Sequence, residues 1–162
     1  MINLKKYSWL LILIGGILVL LGAILPSSIF IDAEDPTNFG LIWIFGAMLD
    51  ETGIDIVEGS KMIIVGGIIG TIVLIILALV LIISSILTVT TEIEFPFKEY
   101  IWLLLGILLF IYPFIYKTSI SLIANDLEDV ITLFMGSIEL FTVLLSFGGL
   151  FSIVAGLEEL RR

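Results

Sequence analysis

The 162-residue chain contains no cysteine and no histidine. Without cysteine there is no disulfide, no thiol nucleophile and no thiolate-built zinc or iron–sulfur site. Without histidine the commonest general base, transition-metal ligand and neutral-pH switch are gone, and Ser-His-Asp and Cys-His mechanisms go with them. Charge is also scarce. Charged residues make up 14% of the chain, against roughly 25% in soluble domains. Only 7 lysines and arginines face 16 aspartates and glutamates, a net charge of −9 that repels nucleic acid. No Walker loop, dinucleotide fingerprint or H-E-x-x-H pattern is present. These absences argue against an enzyme, and no cofactor or metal site is expected.

What is abundant is apolar. Hydrophobic residues reach 60% and mean hydropathy is +1.27. A domain of this size leaves about a third of its chain surface in water, too much for this composition. A bilayer is the solvent that suits it. Crossing the hydrocarbon as a helix takes about 20 apolar residues, and four runs qualify: residues 9–25, 62–89, 100–116 and 133–157. Lipid supplies no hydrogen-bond partners, so spans must be helices or closed barrels, and these runs lack the alternation of barrel strands. Lys5, Lys6 and the first run, followed by Pro26-Ser27-Ser28, also fit a signal peptide, but the apolar run exceeds a typical signal core and a retained helix is preferred.

Lysines and arginines set the orientation. With the N-terminus inside, Lys5, Lys6, Lys98, Arg161 and Arg162 are cytoplasmic and only Lys61 and Lys117 lie outside. Both termini are then inner, the protein is a multi-pass component of the cell membrane, and loops 26–60 and 117–131 are external. The inner loop, 90–99, is short and contains Pro96, so its flanking helices are expected to be antiparallel neighbours. Pro113 is expected to kink or end the third helix.

Helices in lipid associate by close packing of small residues. Gly66-x-x-x-Gly70 in the second span and Gly148-x-x-x-Ser152-x-x-x-Gly156 in the fourth have the required spacing, and Gly15 and Gly22 share one side of the first. They read as seams within a bundle, the alternative being a dimer face. Ser84, Ser85 and Thr71 read as hydrogen-bonding to backbone or to neighbouring helices. Glu139 is the one ionisable residue well inside a span, about 9 Å from its outer start. It marks an ion or proton path, or simply reaches headgroup water or a nearby hydroxyl.

The first external loop is longer than a passive connector. Gly40 to Leu49 is apolar and aromatic, Asp50-Glu51-Thr52-Gly53 signals a turn, Ile54 to Glu58 alternates as a half-buried strand does, and Ser28 to Ile31 offers a further strand. A small antiparallel sheet over the outer mouth of the bundle is expected, rather than an amphipathic segment with Trp43 and Phe45 inserted among headgroups. Asp32, Glu34 and Asp35, and separately Asp126, Glu128 and Asp129, form acidic clusters without calcium-loop spacing and read as solvated, or as an electrostatic lure for cations or a partner.

Four spans, a long first outer loop with strand character, Leu25-Pro26 closing the first span and Gly40-Leu41-Ile42-Trp43 together resemble the claudin and PMP22-like membrane proteins. The family's Gly-Leu-Trp motif carries one residue fewer, its loop tryptophan after Leu-Pro is matched only by Phe30 nearby, and its cysteine pair is missing. The resemblance implies lateral assembly, adhesion or junction building through the outer loops, with Trp43, Phe45, Asp32, Glu34 and Asp35 as contact candidates. The expected partners are the bilayer, further copies of the chain or other membrane proteins, and no nucleic acid. The alternative function is a channel or transporter component, or an accessory subunit of a larger membrane complex.

Overall fold

The computed structural model describes residues 4–31, 39–44, 47–50, 53–56, 61–90, 97–123 and 140–161. A short 3-10 turn, Leu4–Tyr7, leads into helix α1, Ser8–Ile24. Four strands follow: β1 Ser28–Ile31, β2 Phe39–Ile42, β3 Ala47–Asp50 and β4 Gly53–Ile56. Helices α2, Lys61–Thr90, α3, Lys98–Ile123, and α4, Leu140–Leu160, complete the order. Val65–Thr90, Lys98–Tyr116 and Leu140–Leu160 are long and apolar enough to cross a membrane. Helix α1 has the same apolar character over 17 residues, about 26 Å of rise.

Helices α1 and α4 are the middle pair of the bundle. The buried α4 residues Phe141, Leu145, Gly148, Ser152 and Ala155 recur every three or four positions and meet a matching stripe on α1: Ser8, Ile12, Gly15, Val19 and Gly22. Such a stripe is one side of a helix, so the two helices meet along their length. On its other side α4 packs against α3. Helix α2 packs chiefly on the far side of α1, where Ala78 and Ile82 close over Gly16.

Three differences from the expected boundaries have physical reasons. The third helix does not end at residue 116 but continues to Ile123, carrying Pro113 inside it, so residues 117–123 of the expected outer loop are helical. A proline removes a single N–H bond, and neighbouring helices sustain the rest in an apolar bundle. The fourth helix is described from Leu140 to Leu160, so its expected start at residue 133 falls outside the described residues while its end lies three residues beyond 157. Helices α2 and α3 are antiparallel as their short connection requires, yet they touch only lightly because each packs mainly on a different partner, α1 or α4.

The strands form one antiparallel sheet in the order β1-β2-β3-β4. Register runs Ser28 to Ile42 through Ile31 to Phe39, then Leu41 to Leu49, then Ala47 to Ile56 through Asp50 to Gly53. Gly53 has φ 129°, a conformation open to glycine and strained for other residues, and it closes the β3–β4 hairpin. Strand β4 is an edge, and Ile54 is 80% exposed on it, not half-buried as its alternation suggested.

Candidate functional site

The two ends of the bundle carry different polar chemistry, and an apolar cleft runs beside one of them. At the sheet end, the Trp43 indole N–H donates to the Ile24 carbonyl at 3.1 Å. That carbonyl belongs to the last turn of α1, where no intrahelical donor remains. The Tyr116 hydroxyl of α3 donates to the Ile44 carbonyl at 2.8 Å, and the Phe141 backbone N–H to the Ser27 carbonyl at 3.3 Å. Below these bonds Tyr112 and Tyr116 stack at 6.2 Å between ring centroids, and Phe141 meets both edge-on at 6.3 and 5.7 Å. Ile44 is buried. The loop is thereby pinned to α1, α3 and α4.

At the opposite end a polar chain crosses all four helices. The Ser8 hydroxyl of α1 donates to a carboxylate oxygen of Glu159 on α4. The other oxygen of Glu159 lies 3.7 Å from the Lys98 ammonium of α3. Lys98 also sits 5.7 Å above the Trp102 ring, whose N–H donates to the Ser84 hydroxyl of α2 at 3.0 Å. Trp102 is fully buried, so its single donor needs this partner. Ser84 in turn donates to Leu81 O at 2.9 Å. The next residue, Ser85, donates its hydroxyl to the Trp9 carbonyl of α1 at 2.6 Å. Thr71 bonds within its own helix, to Gly67 O at 2.8 Å. These three hydroxyls of the second helix thus bond to backbone or to neighbouring helices, and those of Thr88 and Thr90 bond to carbonyls of their own helix. The buried Ser146 hydroxyl has no hydrogen-bond partner among the described residues.

Beside this chain, α2 and α3 diverge around a cleft of about 300 Å³. Val80, Ile83 and Leu87 form one wall and Ile101 and Trp102 the other, with Lys98 at the rim.

Close packing is concentrated where the seam residues of α4 were expected, and beyond them. A Cβ on Gly148 would come 2.8 Å from Gly15 O, and Ser152 lies against the same glycine. A Cβ on Gly156 would lie 2.8 Å from the Leu103 N of α3. Gly70 is covered by the Tyr112 hydroxyl, whereas Gly66 faces open space with nothing within 4 Å. The tightest approach of backbone to backbone was not anticipated: Gly149 of α4 against Gly106 and Phe110 of α3, with a Gly149 Cβ 2.6 Å from Phe110 N and 2.7 Å from Gly106 O. Its trace in the sequence is the pair Gly149 and Gly156, seven apart on one side of α4. Glu159, Lys98 and Trp102 were legible only as flanking or interfacial residues.

Of the contact candidates, Trp43 is an anchor of the sheet. Asp32, Glu34, Asp35 and Phe45 lie outside the described residues, as do Glu139 and the Asp126, Glu128 and Asp129 cluster. What the described arrangement does chemically is hold helices and sheet together: most of its hydroxyls are spent on carbonyls, Ser8 on the Glu159 carboxylate, and its one inter-helix ion pair joins α3 to α4.

These features define an apolar helical bundle with three helices able to cross a membrane. The chain matches no protein-family model, and no curated protein and no solved structure is significantly similar to it.

Proposed function

We propose that this is a non-enzymatic membrane protein of four spans that works by lateral assembly in the plane of the cell membrane and by contact through its sheet-bearing loop. Helix α1 serves as the fourth span. It is at the lower limit of about 17 residues for crossing, and the preceding 3-10 turn adds to its reach. The end bearing Ser8, Lys98 and Glu159 is cytoplasmic, since the lysine and arginine excess sits there. The sheet is external.

The observation carrying this reading is the lopsided burial of α2. It turns Leu74, Ala78, Leu81 and Ser85 inward, while Ile68, Ile69, Ile72, Ile76 and Ile83 stand exposed along its length. A 30-residue apolar helix at the edge of a bundle offers a long face to lipid or to another helix, and Gly66 leaves room on it for close backbone approach. Outside, Ile54 on the free edge of β4 adds an apolar contact beside unpaired strand groups. The likeness to claudin and PMP22-like proteins in span order and in Leu25-Pro26 and Gly40-Leu41-Ile42-Trp43 agrees with such a role.

Because the chain has no cysteine, single cysteines at Gly66, Val73 and Val80 report proximity without background. Oxidation in native membranes should yield disulfide-linked dimers, or adducts to a partner, at positions of one α2 face only. Uniform absence of adducts, together with no co-purifying membrane protein after crosslinking, rejects assembly. Deletion of residues 32–56 should abolish external contacts, and an unaltered interaction profile rejects the loop's part.

A further inference from the structure

We propose that the cleft between α2 and α3 is a phospholipid site, with an acyl chain against Val80, Ile83 and Ile101 and the phosphate on Lys98. The inference goes beyond assembly and rests on the chain lying in a bilayer. The cleft exists because α2 and α3 are recruited to opposite sides of the bundle, with the Trp102–Ser84 bond spanning it at this end. Val80 and Ile83 on its wall are exposed, at 41% and 53%, so it opens sideways toward the surroundings of the bundle. Its walls offer water almost no partners, and an apolar space of this kind is not hydrated. Inside a membrane the molecule available to fill it is a hydrocarbon chain.

The rim supplies the headgroup contact. Phe97 and Tyr100 project at the start of α3, exposed and 6.3 Å apart, and aromatic rings at a helix end mark the interfacial layer. Lys98 lies between them in sequence and hence at the depth of the phosphates. Its ammonium is a compact charge with three donors. Glu159, at 3.7 Å, is beyond ordinary hydrogen-bond length and leaves those donors available to a second oxygen anion. The same carboxylate beside the lysine suits a headgroup that carries a cation as well as a phosphate. A lone apolar helix from a partner would satisfy the walls but not Lys98, which is why lipid is favoured.

Trp102 on the cleft wall is the reporter. With Trp9→Phe and Trp43→Phe it becomes the only tryptophan of the 3 in the chain. The full chain is reconstituted in phosphatidylcholine nanodiscs containing either brominated phosphatidylcholine or brominated diacylglycerol, and Trp102 quenching is followed against mole fraction. At low mole fraction, quenching per mole of brominated phospholipid should exceed that per mole of brominated diacylglycerol by about fivefold, the preference one cation gives a phosphate near the surface. Lys98→Gln should erase that preference, while Lys6→Gln, a cation at the same end, should keep it. Equal quenching by both lipids in the parent protein overturns the proposal, leaving only the ordinary lipid shell. No quenching by either also overturns it, because the cleft is then covered by protein. Should Lys98→Gln fail to fold, Val80→Phe together with Ile83→Phe crowds one cleft wall and keeps the cation; undiminished quenching by the phospholipid in that variant overturns the proposal as well. Successful reconstitution reports separately on membrane insertion.

Discussion

At the scale of single residues, the bundle is held by what glycine lacks. Between Gly149 and Gly106 the backbones of α4 and α3 approach so closely that a single methyl group at Gly149 would press on backbone atoms at 2.6 and 2.7 Å, which cannot swing aside as a side-chain tip can. Gly149→Ala should therefore destabilise the bundle by about 1–3 kcal/mol, the range for overpacked interiors. The same change at Gly66 meets open space. It should be neutral or slightly stabilising within the chain, since alanine exceeds glycine in helix propensity by about 1 kcal/mol. Thermal or denaturant unfolding of both variants in one detergent checks the contrast, and equal losses would refute it.

Among the elements, the sheet is tied to the helices by hydrogen bonds from Trp43, Tyr116 and the Phe141 N–H, over one aromatic cluster. Tyr116→Phe keeps the ring stacked on Tyr112 and against Phe141 but leaves the Ile44 carbonyl without its donor. A hydrogen bond of this kind contributes about 1 kcal/mol. Amide exchange in β2, Phe39–Ile42, should accelerate about fivefold, with the helices unchanged. Unaltered exchange in β2 would show that the loop is held by something other than this bond.

For the whole molecule, the polar chain from Ser8 through Glu159 and Lys98 to Trp102 and Ser84 brings the start of α1, the end of α4, the start of α3 and the later part of α2 to one end. The start of α1 and the end of α4 therefore lie at the same end of the bundle. Single cysteines at Lys6 and at Arg161 should be labelled by a membrane-impermeant maleimide only after the membrane is opened, and one at Thr52 should be labelled in intact cells. Labelling of Lys6 and Arg161 from opposite sides would refute the four-span topology. Labelling of all three on the reverse faces would keep the fold and invert its orientation.

Composition and hydrophobic patterning by themselves determined that this chain forms long apolar helices, roughly where they begin and end, and that strand-like segments lie between the first two. Those properties depend on local residue types and on what lipid or water permits the backbone. Tertiary structure alone decided which glycines touch, that α1 and α4 are the central pair, and that Pro113 lies within a helix that continues. It also decided that Lys98, Glu159, Trp102 and Ser84, distant in sequence, meet at one end. Packing depends on which faces of several helices meet at once, and nearly uniform apolar spans carry too little contrast along the chain to encode that choice locally.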